Sequence, residues 1–598
     1  MFSLFVLPFC IGVALLLVIS VTKYVRWIRR FDKRQQVFIR RNIWSWRFVP
    51  ALWETFCEGL LHLRITRHNW LLGYMHRSLA FGWFLLIVVG AVQAILAFPN
   101  GHPFYAAIFL NFFEPRSESF VDFPQAALFA NLMDLLLLYV LSGLLIAALK
   151  RLWSRPMGMR RKPQHNMVDR AAKVALWAIF PLRLLAEGAT SARFGNGGFI
   201  VASLGQGMAS IGLDNEIFEY HLWIFYSLAL GTFFTLMPFT RYMHIFTEVL
   251  LIYFRRLGLH EGNEKDGYTL FELSACSRCG ICIDGCPVDD PLGIHHTQGV
   301  YLLQHIRNKD LRHRLDEIAE KCIVCGRCSH DCPVHIDLES IRRQVRVEQK
   351  RPIDRAQGYD YLRNIHAFNA MGRIGYFGGC MSHLTPGVGV AMKTIFQAVG
   401  QSYWHIDQER TICCGRPLLQ QGFLRQAEVL RRQNSRLIAQ SGITMLVTSC
   451  PICFQSFSKE YHLSIPVVHH SQYLAQLIAD GRLQVKQSGM RATYHDPCEL
   501  GRGCGIYDEP RRVVEATALL LPTRNEKSES LCCGYNLGST ELTTDQQRQV
   551  RDQSLQNLME PQPDLVTTAC PMCKKALTRG VTTAVYDIAE LVAKNMKQ

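Results

Sequence analysis

Nineteen of the 21 cysteines lie after residue 275, and their spacing assigns them a chemistry. Two runs share one pattern: Cys276-x2-Cys279-x2-Cys282-x3-Cys286-Pro287 and Cys322-x2-Cys325-x2-Cys328-x3-Cys332-Pro333. Thiolates at these gaps ligate [4Fe–4S] clusters, and in a doubled run the fourth cysteine of each copy serves the other cluster. The expected sets are Cys276, Cys279 and Cys282 with Cys332, and Cys322, Cys325 and Cys328 with Cys286. Two-residue gaps also suit zinc, but a doubled four-cysteine run ending in proline does not.

A second repeat fills the C-terminal part. Cys380, Cys413-Cys414-Gly415 and Cys450-Pro-Ile-Cys453 are followed by Cys498, Cys532-Cys533-Gly534 and Cys570-Pro-Met-Cys573. The double cysteine comes 33 and 34 residues after the first, and the final pair starts 36 and 37 residues later. Buried apolar cysteines would have no reason to keep such spacing twice. A β-branched run precedes each final pair (Ile443–Thr448 and Leu565–Thr568), and helical-period segments, Leu424–Gln440 and Thr543–Met559, separate the cysteine groups. That alternation predicts two α/β units related by pseudo-symmetry, with thiolates at the strand ends.

The elements before residue 255 are of another kind. Five apolar stretches, Phe2–Val21, Leu71–Phe98, Ala126–Leu149, Ala171–Ala189 and His221–Ile252, meet or approach the ~20 residues that span a bilayer. Lys173 and Arg183 interrupt the fourth. Residues 23–70 carry 11 Lys/Arg against three acids, and 150–170 carry seven against Asp169, whereas the other two connections hold only Arg116 and Arg193. This positive-inside asymmetry places the N-terminus outside and everything after the fifth span in the cytoplasm. The two basic loops supply +8 and +6 of the net +16, so the charge is a topology signal and nucleic-acid binding loses its support. No cation precedes the first apolar run, which suits a retained anchor rather than a cleaved signal. The rest of the chain lies in a reducing compartment, where clustered cysteines favour metal sites over disulfides.

Ionisable residues inside spans are costly and mark function. His76 enters the second stretch and His244 lies near the end of the fifth, at similar depth on the inner side. Two imidazoles facing each other there suit bis-axial ligation of a b-type haem. No C-x-x-C-H occurs, so covalent haem is not indicated.

The string Pro238-Phe-Thr-Arg-Tyr-Met-His244 resembles the cytochrome b (gamma) subunit family of respiratory nitrate reductases, over roughly residues 1–255. That resemblance implies His76 and His244 as ligands of an inner haem. The positions of the family's outer pair are Leu86 and Tyr226, and His221 lies five residues from the second, on a different helix face. One haem b is expected, on the cytoplasmic side. The C-terminal repeat, with Gly378-Gly-Cys380 and His495-Asp-Pro-Cys498-Glu-Leu-Gly-Arg502, resembles the paired CCG domains of the catalytic subunit of heterodisulfide reductase. This implies one or two non-cubane [4Fe–4S] clusters, held by Cys380, Cys413, Cys414, Cys450 and Cys453 and by Cys498, Cys532, Cys533, Cys570 and Cys573, the same cysteines being the catalytic ones. Cys10, Cys57 and Cys504 stay unassigned, with Cys504 expected as an exposed thiol.

The expected architecture is an all-α membrane domain of five transmembrane helices (1–258), an α-helical two-cluster ferredoxin domain (263–350) and two α/β CCG domains (370–488 and 489–598). The fused layout resembles membrane-bound heterodisulfide-reductase-like proteins, including electron-transfer-flavoprotein:menaquinone oxidoreductases. It implies an inner-membrane electron wire from the menaquinone or quinone pool, through haem b and two cubane clusters, to a cytoplasmic partner at the CCG clusters: electron-transfer flavoprotein, or a thiol/disulfide. Quinol-dependent disulfide reduction and a non-catalytic relay subunit are the alternatives. No dinucleotide or P-loop fingerprint is present; Gly372-Arg-Ile-Gly-Tyr-Phe-Gly378 has the wrong spacing.

Overall fold

A backbone in hydrocarbon has to pair its N–H and C=O groups within the segment, which makes a long helix the only open form available to it. In the computed structural model, which describes residues 4–97, 124–153, 166–259, 267–289, 292–308, 314–348, 372–409, 412–537 and 541–597, four helices are long and apolar enough to cross a membrane. They are Leu4–Ile28, Trp70–Gln93, Ala126–Leu152 and Glu216–Phe239. The stretch Ala171–Ala189 is helical within Met167–Phe194, but Asp169, Arg170, Lys173, Arg183 and Glu187 load it with charge, and Arg183 pairs with Glu187 at 2.7 Å in its buried face. Four spans, not five, therefore meet the criterion among the described residues. Residues 98–123 with Arg116, and Arg155, Arg160, Arg161 and Lys162 of the second basic loop, lie outside the described residues.

The last expected stretch, His221–Ile252, is not one helix. Pro238 has no N–H to continue the ladder and its ring disfavours the preceding turn. Helix Glu216–Leu236 gives way to two 3₁₀ turns, Met237–Phe239 and Arg241–Met243, and a new helix, His244–Leu257, follows. His244 opens that helix instead of lying within a span.

Internal packing divides the chain into Met1–Asp284 with Pro333–Ile336, and Gly285–Cys332 with Asp337–Gln598. In the first unit the helices Leu7–Ile28 and Glu216–Leu236 cross at two glycines. A Cβ on Gly231 would lie 2.3 Å from the Pro8 carbonyl oxygen, and one on Gly12 would lie 2.6 Å from that of Gly231. Close backbone approach through small residues is how helices associate where lipid removes the hydrophobic driving force. Asp134 caps a neighbouring helix, accepting from the N–H groups of Ile200 and Val201 at 2.7 and 3.1 Å.

The second unit contains two four-stranded parallel sheets. The first comprises β1 (Ile374–Phe377), β2 (Tyr403–His405), β3 (Met445–Thr448) and β4 (Val467–His469), in the order β2-β1-β3-β4. The second comprises β5 (Arg491–His495), β6 (Leu519–Leu521), β7 (Leu565–Thr568) and β8 (Ala584–Asp587), in the matching order β6-β5-β7-β8. Parallel neighbours need crossover connections, and helices supply them. The expected helix Leu424–Gln440 forms with those bounds, and Thr543 is the N-cap of Thr544–Met559, its side chain accepting from the Gln546 N–H. Among the described residues, the helices around the cysteine runs before the sheets are short and include Gly299–Arg307, Leu315–Glu320, Arg327–His330 and Leu338–Glu348.

The glycine crossing gives a direct test. Gly231→Leu forces the two helices apart and is expected to cost about 1–3 kcal/mol, read as a lower thermal midpoint in detergent. Gly207→Ala, where an added Cβ meets nothing within 4 Å, is the control and is expected to keep or raise it. An unchanged midpoint for Gly231→Leu would refute the tight crossing.

Candidate redox centres

Four of the cysteine-bearing turns leave the carboxyl ends of the two central strands in each sheet. Cys380 follows β1 and Cys450 follows β3; Cys498 follows β5 and Cys570 follows β7. Because β1 pairs with β3 and β5 with β7 in parallel register, Phe377 beside Thr448 and His495 beside Thr568, each pair of turns is delivered to one place. After β1 the chain turns through Gly378 and Gly379, whose N–H groups donate to the Asp407 carboxylate at 2.8 and 2.7 Å. Gly379 has a φ of +85°, and a Cβ there would sit 2.7 Å from Cβ of Cys450 and 3.2 Å from Sγ of Cys453. Backbone conformation and sulfur packing both demand glycine.

The double cysteine completes each set. Asn434 donates to the Cys413 carbonyl at 2.8 Å, and Tyr461 and Ser456 donate to that of Cys414 at 2.9 and 3.3 Å. The Cys414 thiol is held well below the ordinary thiol value by hydrogen bonds from Cys413 and Cys453, whose own thiols are pushed up by those bonds. Cys380 is raised mainly by burial, with Cys450 and Cys414 beside it. The second copy repeats the arrangement: Cys533 is pulled down to about 6 by Cys532 and then Cys573, whose sulfur lies 3.5 Å from its own. All of these cysteines are free thiols. Five sulfurs gathered from three segments without a disulfide fit a polynuclear iron–sulfur cluster. Among the described residues no group of three or more His, Cys, Asp or Glu side chains closes on a single-ion position. The two sets also adjoin, since Cys380 and Met381 pack with Cys533, Cys570, Cys573 and Met572.

Cys286, Cys322, Cys325 and Cys328 come together in the second unit. Cys286 is pushed up to about 12 by burial, with Cys325 and Cys322 acting on it, and Cys328 is raised by burial and by Cys322, Cys325 and Cys286. The other expected set is split by the unit boundary: Cys276, Cys279 and Cys282 lie in the first unit and Cys332 in the second. Cys504 is not an exposed thiol. It is half-buried against the main core of the sheets, and burial raises it to about 11.

In the first unit a cavity of about 1090 Å³ is walled by both His76 and His244. Nδ1 of His244 lies 2.7 Å from the Arg241 carbonyl, which fixes a tautomer with Nε2 free as a ligand. A third imidazole, His62, stacks on His76 with ring centroids 5.3 Å apart and an interplanar angle of 22°. Sequence reasoning missed it, because it stands outside the apolar stretches in an unpatterned loop. Lys150, Arg151, Arg170, Lys173, Arg241 and Arg278 also reach the wall, Arg278 being paired with Asp169. Two imidazoles on the wall of an apolar cavity rimmed with cations fit a haem with its propionates. His221 is not on this wall: it is exposed, with Nδ1 2.6 Å from the Ile217 carbonyl, while Leu86 and Tyr226 are buried.

Known proteins carry the same parts. Residues 374–458 and 492–578 match the cysteine-rich domain family, and 272–336 match the 4Fe-4S dicluster domain family. The chain therefore joins a helical N-terminal region, with four helices long and apolar enough to cross a membrane, to a dicluster domain and two cysteine-rich domains, and it is similar to heterodisulfide-reductase-like iron–sulfur proteins. It is 22% identical to the "EtfAB:quinone oxidoreductase" of Syntrophomonas wolfei over 95% of this chain and 92% of that protein. It is also 24% identical to a dihydromethanophenazine:CoB–CoM heterodisulfide reductase subunit of Methanosarcina barkeri, over 54% of this chain and 94% of that protein. A fumarate reductase (CoM/CoB) subunit of Methanothermobacter marburgensis is 26% identical over 53% of this chain and 70% of its own length.

Gly379→Ala tests the first five-sulfur site. The left-handed backbone adds about 1–2 kcal/mol of strain and the new methyl group intrudes on Cys450 and Cys453. The variant is expected to lose one cluster's worth of iron and the paramagnetic signal of that site, while the other clusters persist. Full iron and an unchanged spectrum would overturn the assignment.

Proposed function

We propose that this protein is a membrane-bound, quinone-linked iron–sulfur oxidoreductase that takes electrons from reduced electron-transfer flavoprotein in the cytoplasm and passes them to the menaquinone or quinone pool. One observation carries the reading: the cavity walled by His76 and His244 is also walled by Cys279 of the first cysteine run. A haem site and an iron–sulfur ligand share one enclosure, which is what an electron path out of the membrane needs. The similarity to an EtfAB:quinone oxidoreductase along nearly the whole chain supports the choice of partners.

In this reading His76 and His244 hold one haem b, Arg241 orients His244 through its carbonyl, and the cationic rim receives the propionates. Cys276, Cys279 and Cys282 with Cys332, and Cys322, Cys325 and Cys328 with Cys286, hold two cubane clusters; the five-sulfur sets hold the non-cubane ones. These groups supply one-electron steps at tuned potentials, and the protein supplies their placement. The domains are taken as 1–258, 263–350, 370–488 and 489–598, and Met167–Phe194 as a fifth, charge-bearing span, with the N-terminus outside.

The neighbourhoods within unit two support one order of the carriers. Cys325 lies beside Cys498 and Cys532 of the second five-sulfur set, and that set packs against Cys380 of the first. Electrons then pass between the cubane cluster of Cys325 and the second CCG set before the first. A quinol-dependent disulfide reductase is the second reading, favoured by the completeness of both five-sulfur sets and by the similarity to a protein of a heterodisulfide reductase.

Two measurements check this. A pyridine haemochrome assay is expected to give one haem per chain, lost in His76→Ala and in His244→Ala and kept in His221→Ala; two haems per chain, or loss in His221→Ala, would refute the ligation. Anaerobic protein is expected to show haem reduction on adding reduced electron-transfer flavoprotein. A new paramagnetic signal from the pre-reduced protein with a disulfide, and none of this reduction, would transfer the case to the second reading.

A further inference from the structure

Among the described residues, Arg502 is a partly buried cation held by carbonyls rather than by a carboxylate. It lies four residues after Cys498, in the short helix Gly501–Cys504. Its Nε donates to the Cys325 carbonyl at 3.0 Å, and Nη1 donates to the carbonyls of Ser528 and Ser530 at 3.0 and 2.9 Å and to Oγ of Ser530 at 3.2 Å. The ionisable groups that act on it most are Cys325, Cys498, Cys532 and Tyr507, and His495 also feels its charge. Its neighbours are provided for differently. Arg416 meets Glu339, Glu460 and Glu499, Arg511 meets Asp496, and Arg327 meets Asp331 and Glu529.

A charge withdrawn from water is costly unless an opposite charge answers it. The carbonyls and the hydroxyl that accept from Nε and Nη1 are neutral and do not answer the charge. Among the described residues, the groups foremost in place to do so are thiols, and they come from two different ligand sets. Cys325 belongs to the Cys286, Cys322, Cys325 and Cys328 group; Cys498 and Cys532 belong to the second five-sulfur group. Cys286, Cys325 and Cys532 also pack in one apolar cluster with Val288, Ile323, Leu542 and Val550, which keeps water out on that side.

We propose that Arg502 is the shared counter-ion of two iron–sulfur clusters, and that its single charge sets both of their reduction potentials. The proposal rests on the cluster assignment made above. Each step is a one-electron transfer in which no bond is made or broken and no proton moves. The electron leaves one cluster and arrives on the other, so the reduced charge always stays within reach of the same guanidinium. Because reduction adds negative charge, a fixed positive charge nearby favours the reduced form of each. Removing it lowers both potentials together and leaves the cluster of Cys276, Cys279 and Cys282 where it was.

The test is a potentiometric titration of anaerobic, full-length protein, followed by electron paramagnetic resonance. In Arg502→Gln both clusters are expected to become harder to reduce by about tenfold in the reduction equilibrium, roughly 59 mV for a one-electron couple. Arg502→Lys keeps the charge without the fork of hydrogen bonds, and is expected to stay near the wild-type values. A shift at one cluster alone, no shift at either, or equal shifts in both variants would overturn the proposal. If Arg502→Gln fails to retain iron, Arg502→Lys decides the matter: wild-type potentials support a role of charge, and displaced ones refute it. Iron and sulfide counts on the wild type keep the underlying reading separate, since a chain lacking the clusters sinks the assignment itself.

Discussion

Everything in the C-terminal half follows from one requirement: five sulfur atoms from three separated segments have to meet without bonding to one another. The parallel pairing of β1 with β3, and of β5 with β7, meets it. In a parallel pair both strands end on the same side, so the turn after β1 and the turn after β3 arrive together with Cys380 and Cys450. An antiparallel pair would send those turns to opposite ends of the sheet. The double cysteine then enters from a third segment, pinned by Asn434, Ser456 and Tyr461 on its own carbonyls. Gly379 removes the one methyl group that would otherwise occupy the sulfur space.

Around these sulfurs the second unit is knit by buried arginines rather than by apolar contacts alone. Arg346 donates to the carbonyls of Ala319, Cys322 and Gln420, joining the helix Leu338–Glu348 to the second cysteine run and to the first CCG copy. Arg342 reaches Thr297 and Ile318 in the same way. Arg416, directly after Cys413-Cys414-Gly415, gathers Glu339, Glu460 and Glu499 at 2.9, 2.9 and 3.0 Å. Three carboxylates exceed one guanidinium, and burial pushes Glu339 up to about 7 against the pull of Arg416. These carbonyl and carboxylate clamps need the planar five-donor fork of arginine, which a lysine does not offer.

The cysteine chemistry was legible because ligation constrains spacing directly. The double run, the two five-sulfur sets, the helix Leu424–Gln440 and the strand Leu565–Thr568 all stand in the sequence before any fold is known. The membrane half was harder to read, because hydropathy reports composition over a window and not where a helix stops. Pro238 inside an apolar stretch was the signal that separates Glu216–Leu236 from His244–Leu257, and its force lies in a missing N–H. The buried Arg183–Glu187 pair was equally visible as charges but not as a pair, since the 3.6-residue period brings them together only once the helix exists. His62 left no signal, because its place beside His76 comes from the loop that carries it, whose φ of +52° no composition rule foretells.

The two CCG copies show how a symmetric scaffold acquires a direction. Their sheets share one strand order, and in each set the second thiol of the double cysteine is held down by its neighbour and by the last cysteine. The difference lies in what flanks them. The second copy presents Arg502 to the Cys325 carbonyl, and Cys532 packs with Cys286 and Cys325; the first copy meets the second through Cys380 and Met381. At the position corresponding to Arg502, four residues past its first cysteine, the first copy has Leu384, which is exposed. A duplicated unit can therefore divide its labour by changing a residue beside a ligand while leaving every ligand in place. In the proposed reading that asymmetry, more than the identity of the ligands, fixes the order in which the two sets exchange electrons.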